Sequence, residues 1–147
     1  MTATKNLLAG LGGAIALNLL HESLKRLNGD MPRIDKLGEE ALQKALDKIG
    51  LPAPEGNNLY LATLGADVVS NALYYSAIGV GDPKHLWARA IGLGITAGTG
   101  AVTLPEEMGL DATPVVKTTM TKSLTIGYYL FGALVTAGIL KAMGSRD

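Results

Sequence analysis

Four long apolar blocks, each nearly free of charge, limit what this chain can fold into. Asn6 to Leu20 carries no charge and continues through His21 and Glu22 to Leu24. Leu59 to Val80 carries only Asp67, Leu86 to Leu104 only Arg89, and Ser123 to Leu140 none. Crossing the hydrocarbon of a bilayer takes about 20 helical residues. The second and fourth blocks meet that length directly. The first and third meet it if their charged ends snorkel to the interface. A soluble helical bundle would need polar faces on its helices, and three of these four blocks have almost no charge. The expected fold is therefore all-α: an integral membrane four-helix bundle forming a single domain over residues 1–147, with spans near 6–24, 59–80, 86–104 and 123–141.

A secretory signal is the competing reading of the first block, with Lys5 in its n-region and Leu7 to Ala16 as its h-region. Ala14-Ile15-Ala16 runs on into further apolar sequence rather than a mature start, so a retained span is expected. Glycine supports the membrane reading, because most of the 19 glycines fall inside the apolar blocks. In a soluble helix each would cost about 1 kcal/mol against alanine. Between helices in a bilayer, small residues permit the close approach on which association depends. Gly94 and Gly98 on the third span, with Gly10, Gly13 and Ala14 on the first, make such pairs.

Ile34 to Ile49 reads differently. Ile34, Leu37, Ala41, Leu42, Ala45, Leu46 and Ile49 recur at helical spacing, and Lys36, Glu39, Glu40, Lys44, Asp47 and Lys48 occupy the remaining surface. This is an amphipathic helix, about 34–49, between the first and second spans; it is expected to lie on the membrane or cap the bundle. Pro52 and Pro54 end it. Gly81-Asp82-Pro83 signals a tight turn between the second and third spans. Thr113-Pro114 resembles an N-cap followed by proline, so the fourth helix is expected to begin near Pro114. Pro105 is expected just past the third span. Lysine and arginine are more numerous on the side of the long connections than on the side of Lys5, Lys84, Arg89, Lys141 and Arg146, which weakly favours the long connections in the cytoplasm.

Charge and composition exclude several functions. Basic and acidic residues balance at 13 each, leaving no excess to neutralise phosphates, so nucleic acid is not an expected partner. There are no cysteines, which removes disulfides, thiolate metal sites and cysteine nucleophiles. Gly92-Leu93-Gly94-Ile95-Thr96-Ala97 matches the dinucleotide fingerprint in letters but lacks the strand that gives it meaning. His21 beside Glu22 invites a metal reading, yet no HxxxH or HExxH spacing accompanies it. Neither a metal nor a cofactor is expected.

Polar residues within the spans follow helical spacing. Tyr60, Thr63, Asp67, Asn71 and Tyr74 share one face of the second span, and Thr96, Thr99, Thr103 and Glu106 one face of the third. Thr118, Lys122, Thr125 and Tyr129 line the fourth, and Asn18, His21, Glu22 and Lys25 the end of the first. Counted from the long connections, Asp67 lies about 12 Å deep. His21, Glu22, Thr103, Glu106 and Lys122 lie near that same side. A polar pocket around Asp67 follows, with Asn71, His21, Glu22, Asn18, Thr63, Thr103, Glu106 and Lys122 as candidate neighbours. A carboxylate at that depth calls for a partner inside the bundle, and Lys122 or His21 match it in depth. The competing reading is an interhelical bond that only fixes packing.

The runs Leu20-His21-Glu22-Ser23-Leu24-Lys25-Arg26 and Pro32-Arg33-Ile34-Asp35-Lys36-Leu37-Gly38 resemble uncharacterised small four-helix bacterial inner-membrane proteins. Asn71-Ala72-Leu73-Tyr74-Tyr75 and Pro105-Glu106-Glu107-Met108-Gly109-Leu110 fit the same pattern. The resemblance implies a bacterial inner membrane and transfers no catalytic or binding residue. Three functions stay open. The polar pocket points first to permeation or transport of a small solute or ion by a homo-oligomer in the lipid bilayer. A membrane-embedded enzyme or amphiphile-binding protein is the alternative, with His21 or Asp67 as general base, Lys122 as electrostatic stabiliser and the amphipathic helix as a lid. A structural or envelope-stress protein is the third.

Overall fold

A computed structural model describes residues 1–144; Arg146 lies outside them. The described residues are helical and contain no strand: α1 (Ala3–Leu24), α2 (Ile34–Lys48), α3 (Gly56–Ser76), α4 (Leu86–Glu107), the single-turn α5 (Thr113–Val116) and α6 (Thr119–Gly144). Two of these, α1 and α6, are long and apolar enough to cross a membrane. α3 and α4 have the length but carry more polar residues, among them Asn57, Asn58, Asp67 and Asn71 in α3.

The four long helices pack in the order α3, α1, α6, α4, each antiparallel to its neighbour. Glycine sets these contacts. A Cβ on Gly10 would meet the backbone of Ala72 and Ser76 in α3, and one on Gly13 would meet Thr136 and Gly132 in α6. On the other side of α6, a Cβ on Gly98 would lie 2.6 Å from Ile126 Cα, and one on Gly94 2.9 Å from Leu130 Cα. The small residues thus bring three pairs of backbones together, which is what Gly-rich apolar helices allow. The centre is filled by Leu17, Tyr75, Tyr128, Ala137 and Leu140, all buried. Thr125 and Thr136, also buried, return their hydroxyls to Thr121 O and Gly132 O in their own helix.

Outer faces of all four long helices are apolar and exposed: Leu7, Leu8 and Ile15 on α1, Leu61, Val69 and Leu73 on α3, Ile91 and Ile95 on α4, and Phe131 on α6. The turn after α3 is tight, with Gly81 at φ +109°, a backbone conformation that favours glycine. Arg89 closes it, donating to Ile78 O at 3.0 Å and to Asp82 O at 2.8 Å. The one charge of the third apolar block is thereby spent on backbone carbonyls. Two boundaries differ from expectation. Pro105 lies inside α4, since that helix runs on to Glu107. The segment from Thr113 forms the separate turn α5 before α6 starts at Thr119, because Thr118 and Thr121 bond each other's hydroxyls and backbone there and reset the chain direction.

α2 lies across the end of the bundle. Its first half is docked, with Leu37 buried, whereas Ile49 just past its end is 68% exposed and Leu51 52% exposed. The apolar stripe read from the sequence therefore faces protein over its first turns and is left uncovered further on.

Candidate functional site

α3 and α4 are neighbours in sequence yet do not close on each other. Between them runs a groove of about 690 Å³. Asn71, Ser70 and Tyr74 of α3 form one wall, and Thr96, Ala97, Gly100, Ala101 and Leu104 of α4 the other. Tyr129 of α6 lies at its base, and Ile34, Leu37, Gly38 and Ala41 of α2 roof it. Its inner end is tied by Tyr74, whose hydroxyl donates to Leu93 O at 2.7 Å. Tyr75, on the neighbouring face, donates to Tyr129 O at 2.7 Å and holds α3 to α6 behind the groove. The lining is apolar apart from a short strip formed by Thr63, Asp67, Asn71 and the hydroxyl-bearing residues at its edge.

Asp67 sits in that strip, half-buried. Asn18 of α1 donates to Asp67 Oδ2 at 3.0 Å with one amide hydrogen and to Ala14 O at 2.9 Å with the other. Asn71, one turn further along α3 and itself buried, presents its amide to the same carboxylate. The carboxyl thus has two amide neighbours and, among the described residues, no lysine or arginine paired with it, and it borders an apolar space.

Where α1 ends and α2 begins, a second cluster forms. Arg33 grips Asp35 with two parallel bonds, Nε to Oδ1 at 2.9 Å and Nη2 to Oδ2 at 2.8 Å. Lys25 Nζ lies 2.7 Å from Glu22 Oε2 and 3.7 Å from Asp35 Oδ2, and its charge stands 4.7 Å from the centre of the Tyr60 ring. His21 is buried. Its Nε2 lies 3.2 Å from Ile34 N and 3.4 Å from Asp35 Oδ1, accepting the Ile34 N–H when neutral and facing Asp35 as a donor when protonated. Burial alone would raise the Asp35 carboxyl, but the hydrogen bonds and charges of His21 and Arg33 outweigh it and hold the group well below the usual carboxylate range. This cluster latches the start of α2 to α1. Further along, Lys44 donates to Gly109 O at 2.6 Å, and Glu40 accepts from Asp111 N at 3.0 Å. The roof is fastened on both sides of the groove.

Of the residues singled out in the sequence, Asn18, His21, Glu22, Thr63, Asp67 and Asn71 come together along α1 and α3. Thr103, Glu106 and Lys122 do not. Thr103 is exposed and bonds Thr99 O within its own helix, Glu106 is exposed at the end of α4, and Lys122 is exposed at the start of α6. They lie toward the same side of the bundle as Asp67, but they do not face it. α6 meets α3 only at its middle, with α1 between their ends, so Lys122 cannot reach across; Asn18 is the partner instead. Lys122→Ala is accordingly expected to change thermal stability in detergent by no more than about 0.5 kcal/mol, the range of an unconstrained surface substitution. A loss of several times that would mean that Lys122 pairs with Asp67 after all.

Arg33 and Asp35 are the residues that sequence reasoning missed. The signal was present: by helical azimuth Asp35 falls within the apolar stripe of α2, between Ile34 and Leu46, where a carboxylate needs a partner. Among the described residues no group of His, Asp and Glu is arranged to hold a metal ion. In comparisons with known proteins, no family model, no curated protein and no solved structure matches this chain.

Proposed function

We propose that this chain is an integral protein of a bacterial inner membrane, with all four long helices in the bilayer and α2 at the interface, and that it binds an amphiphile in the roofed groove. The exposed apolar residues of α1, α3 and α4, with Phe131 on α6, support the four-helix placement, because apolar exposure on each long helix suits lipid better than water. The uncovered end of α2, with Ile49 and Leu51, suits the interface.

The single observation that carries the binding reading is the shape and chemistry of the groove: an apolar slot open to the side, with a carboxyl and an amide on one wall. A hydrocarbon chain gains nothing by leaving lipid for such a slot, since both are apolar. Selection must therefore come from the polar end. Asp67 and Asn71 suit an amphiphile whose single chain carries a hydrogen-bond donor, an alcohol or an amine. Permeation through one copy is poorly supported, because Tyr75, Tyr128, Thr136 and Leu140 fill the centre of the bundle.

The test is photo-cross-linking in lipid nanodiscs with a long-chain amine and a long-chain alcohol, each carrying a diazirine near its tail. Labelling should concentrate on the groove walls. Gly100→Trp should abolish it, because Gly100 borders the groove with only the end of Leu104 nearby to resist a larger side chain. Asp67→Ala should weaken it about tenfold, the size of one lost hydrogen bond to a charged group. Labelling spread evenly over the lipid-facing surface, and unchanged in Gly100→Trp, would refute the reading.

A further inference from the structure

Beneath the latch, between α1, α2 and α3, lies a small, partly enclosed cavity of about 20 Å³. That is room for one water molecule. Its polar lining is Asn18, His21, Glu22, Asp35, Tyr60 and Thr63. Two of these side chains have a buried oxygen with no hydrogen-bond partner in the protein: Thr63 Oγ1, on a residue only 6% exposed, and Glu22 Oε1. Glu22 Oε1 stands 3.5 Å from His21 Nδ1, too far for a strong bond. Buried oxygens left unpaired are costly, and a bridging water is the usual remedy where a polar cavity is large enough.

These two oxygens also occupy particular places. Thr63 borders both the cavity and the groove that holds Asp67. Glu22, with Asp35 and Tyr60, borders both the cavity and an open polar vestibule of about 600 Å³ on the side of the long connections. Groove, cavity and vestibule therefore stand in series, and each unpaired oxygen sits on one of the two partitions. On α3, Thr63 and Asp67 are one turn apart and share a face.

We propose that the cavity binds a single water which, with Thr63 and Glu22, carries protons between Asp67 and the vestibule. The proposal rests on the four-helix membrane placement above, which seals the other routes to Asp67 with lipid. In release, the proton leaves the Asp67 carboxyl by way of a water at the groove wall for Thr63 Oγ1, as that hydroxyl passes its own proton to the cavity water. The water in turn gives a proton to Glu22 Oε1, and Glu22 loses it to vestibule water. Asp67 ends as a carboxylate, and Thr63, the water and Glu22 end as they began. The titratable groups that face this route are His21 and Glu22 from α1, Asp35 from α2, Tyr60, Tyr74 and Tyr75 from α3, and Tyr129 from α6. Of the described residues of α4 that line the groove, none titrates. The cations Lys25, Arg26 and Arg33 and the carboxylate of Glu39 also border the vestibule.

The experiment is hydrogen–deuterium exchange of the Asp67 carboxyl, followed by infrared spectroscopy of the full chain in nanodiscs across a pH series. The band is assigned by its loss in Asp67→Asn. Thr63→Val keeps the volume of the side chain and removes the hydroxyl; it should slow exchange about tenfold, the factor that one hydrogen bond commands. Thr63→Ser should restore the wild-type rate. Glu22→Gln, a second variant should Thr63→Val fail to fold, should slow exchange likewise. Wild-type exchange rates in both Thr63→Val and Glu22→Gln would overturn the proposal, as would the absence of an Asp67-dependent carboxyl band at every pH. Cross-linking of the long-chain amine on the same samples separates the two readings. Slowed exchange without groove labelling leaves the relay standing and sinks amphiphile binding, and the reverse result does the opposite.

Discussion

Asp35→Ala is expected to release the start of α2 from the bundle and to cost about 3 kcal/mol, the low end for removing one partner of a buried ion pair, since Arg33 is partly exposed. The carboxylate receives two bonds from Arg33 and faces His21 and Lys25. Its loss leaves the Arg33 guanidinium without the acceptor of both its bonds, while Lys25 keeps Glu22, and a deserted, partly buried charge costs more than the pair ever contributed. Thermal unfolding in detergent reads the stability. Amide exchange should rise in α2 and stay low in α1 and α6. An unchanged melting temperature would show that the latch holds nothing.

The same carboxylate sets a pH dependence of defined sign. Its folded-state value is depressed below that of the unfolded chain, so its contribution is complete above the ordinary aspartate value of about 4 and is lost as pH falls from there toward the folded value. Wild type and Asp35→Ala should therefore differ most near neutrality and converge on acidification. Curves that stay parallel down to low pH would contradict the assignment.

Gly10→Val is the other large effect. A side chain at Gly10 runs into the Ala72 carbonyl and the Ser76 amide, the latter 2.8 Å from where its Cβ would lie, and neither can turn aside as a side-chain tip can. α1 and α3 must separate, so a loss of about 3 kcal/mol or more is expected, at the upper end for overpacking. Gly138→Ala is the control: its Cβ would meet nothing within 4 Å, and it should gain up to about 1 kcal/mol from helix propensity alone. Unfolding of the two variants in mixed micelles compares them directly. Equal behaviour would mean that glycine in this chain serves no close contact.

Depth along each helix was legible in the sequence and direction around the bundle was not. Depth follows from counting residues at a fixed rise, so Asn18, His21, Thr63, Asp67 and Asn71 could be assembled on paper. Direction depends on which helix each face meets, and that is decided by glycine contacts such as Gly13 with Gly132 and Gly98 with Ile126, which no single-helix pattern reveals. Lys122 and Glu106 fall on the polar stripes of their helices and on the side of the long connections, yet they face out. The amphipathic helix was legible as a pattern, but its apolar stripe was assumed to serve one environment. In the fold it serves two, protein at Leu37 and open surface at Ile49. Arg33 and Asp35 are less legible, because the pattern of α2 shows a carboxylate within an apolar stripe but not the guanidinium that pairs with it.

Pro105 gives the groove a preference of its own. Proline has no N–H, so the carbonyl one turn earlier, on Ala101, loses its ordinary helical donor. Ala101 lines the groove toward its roofed mouth, opposite the Asp67 wall. A carbonyl lacking its donor is unwelcome against hydrocarbon, and the mouth is thereby biased against a bare alkyl chain. On the proposed reading that the groove binds an amphiphile, a guest with a second hydroxyl near its head is expected to dwell longer than one of equal length without it.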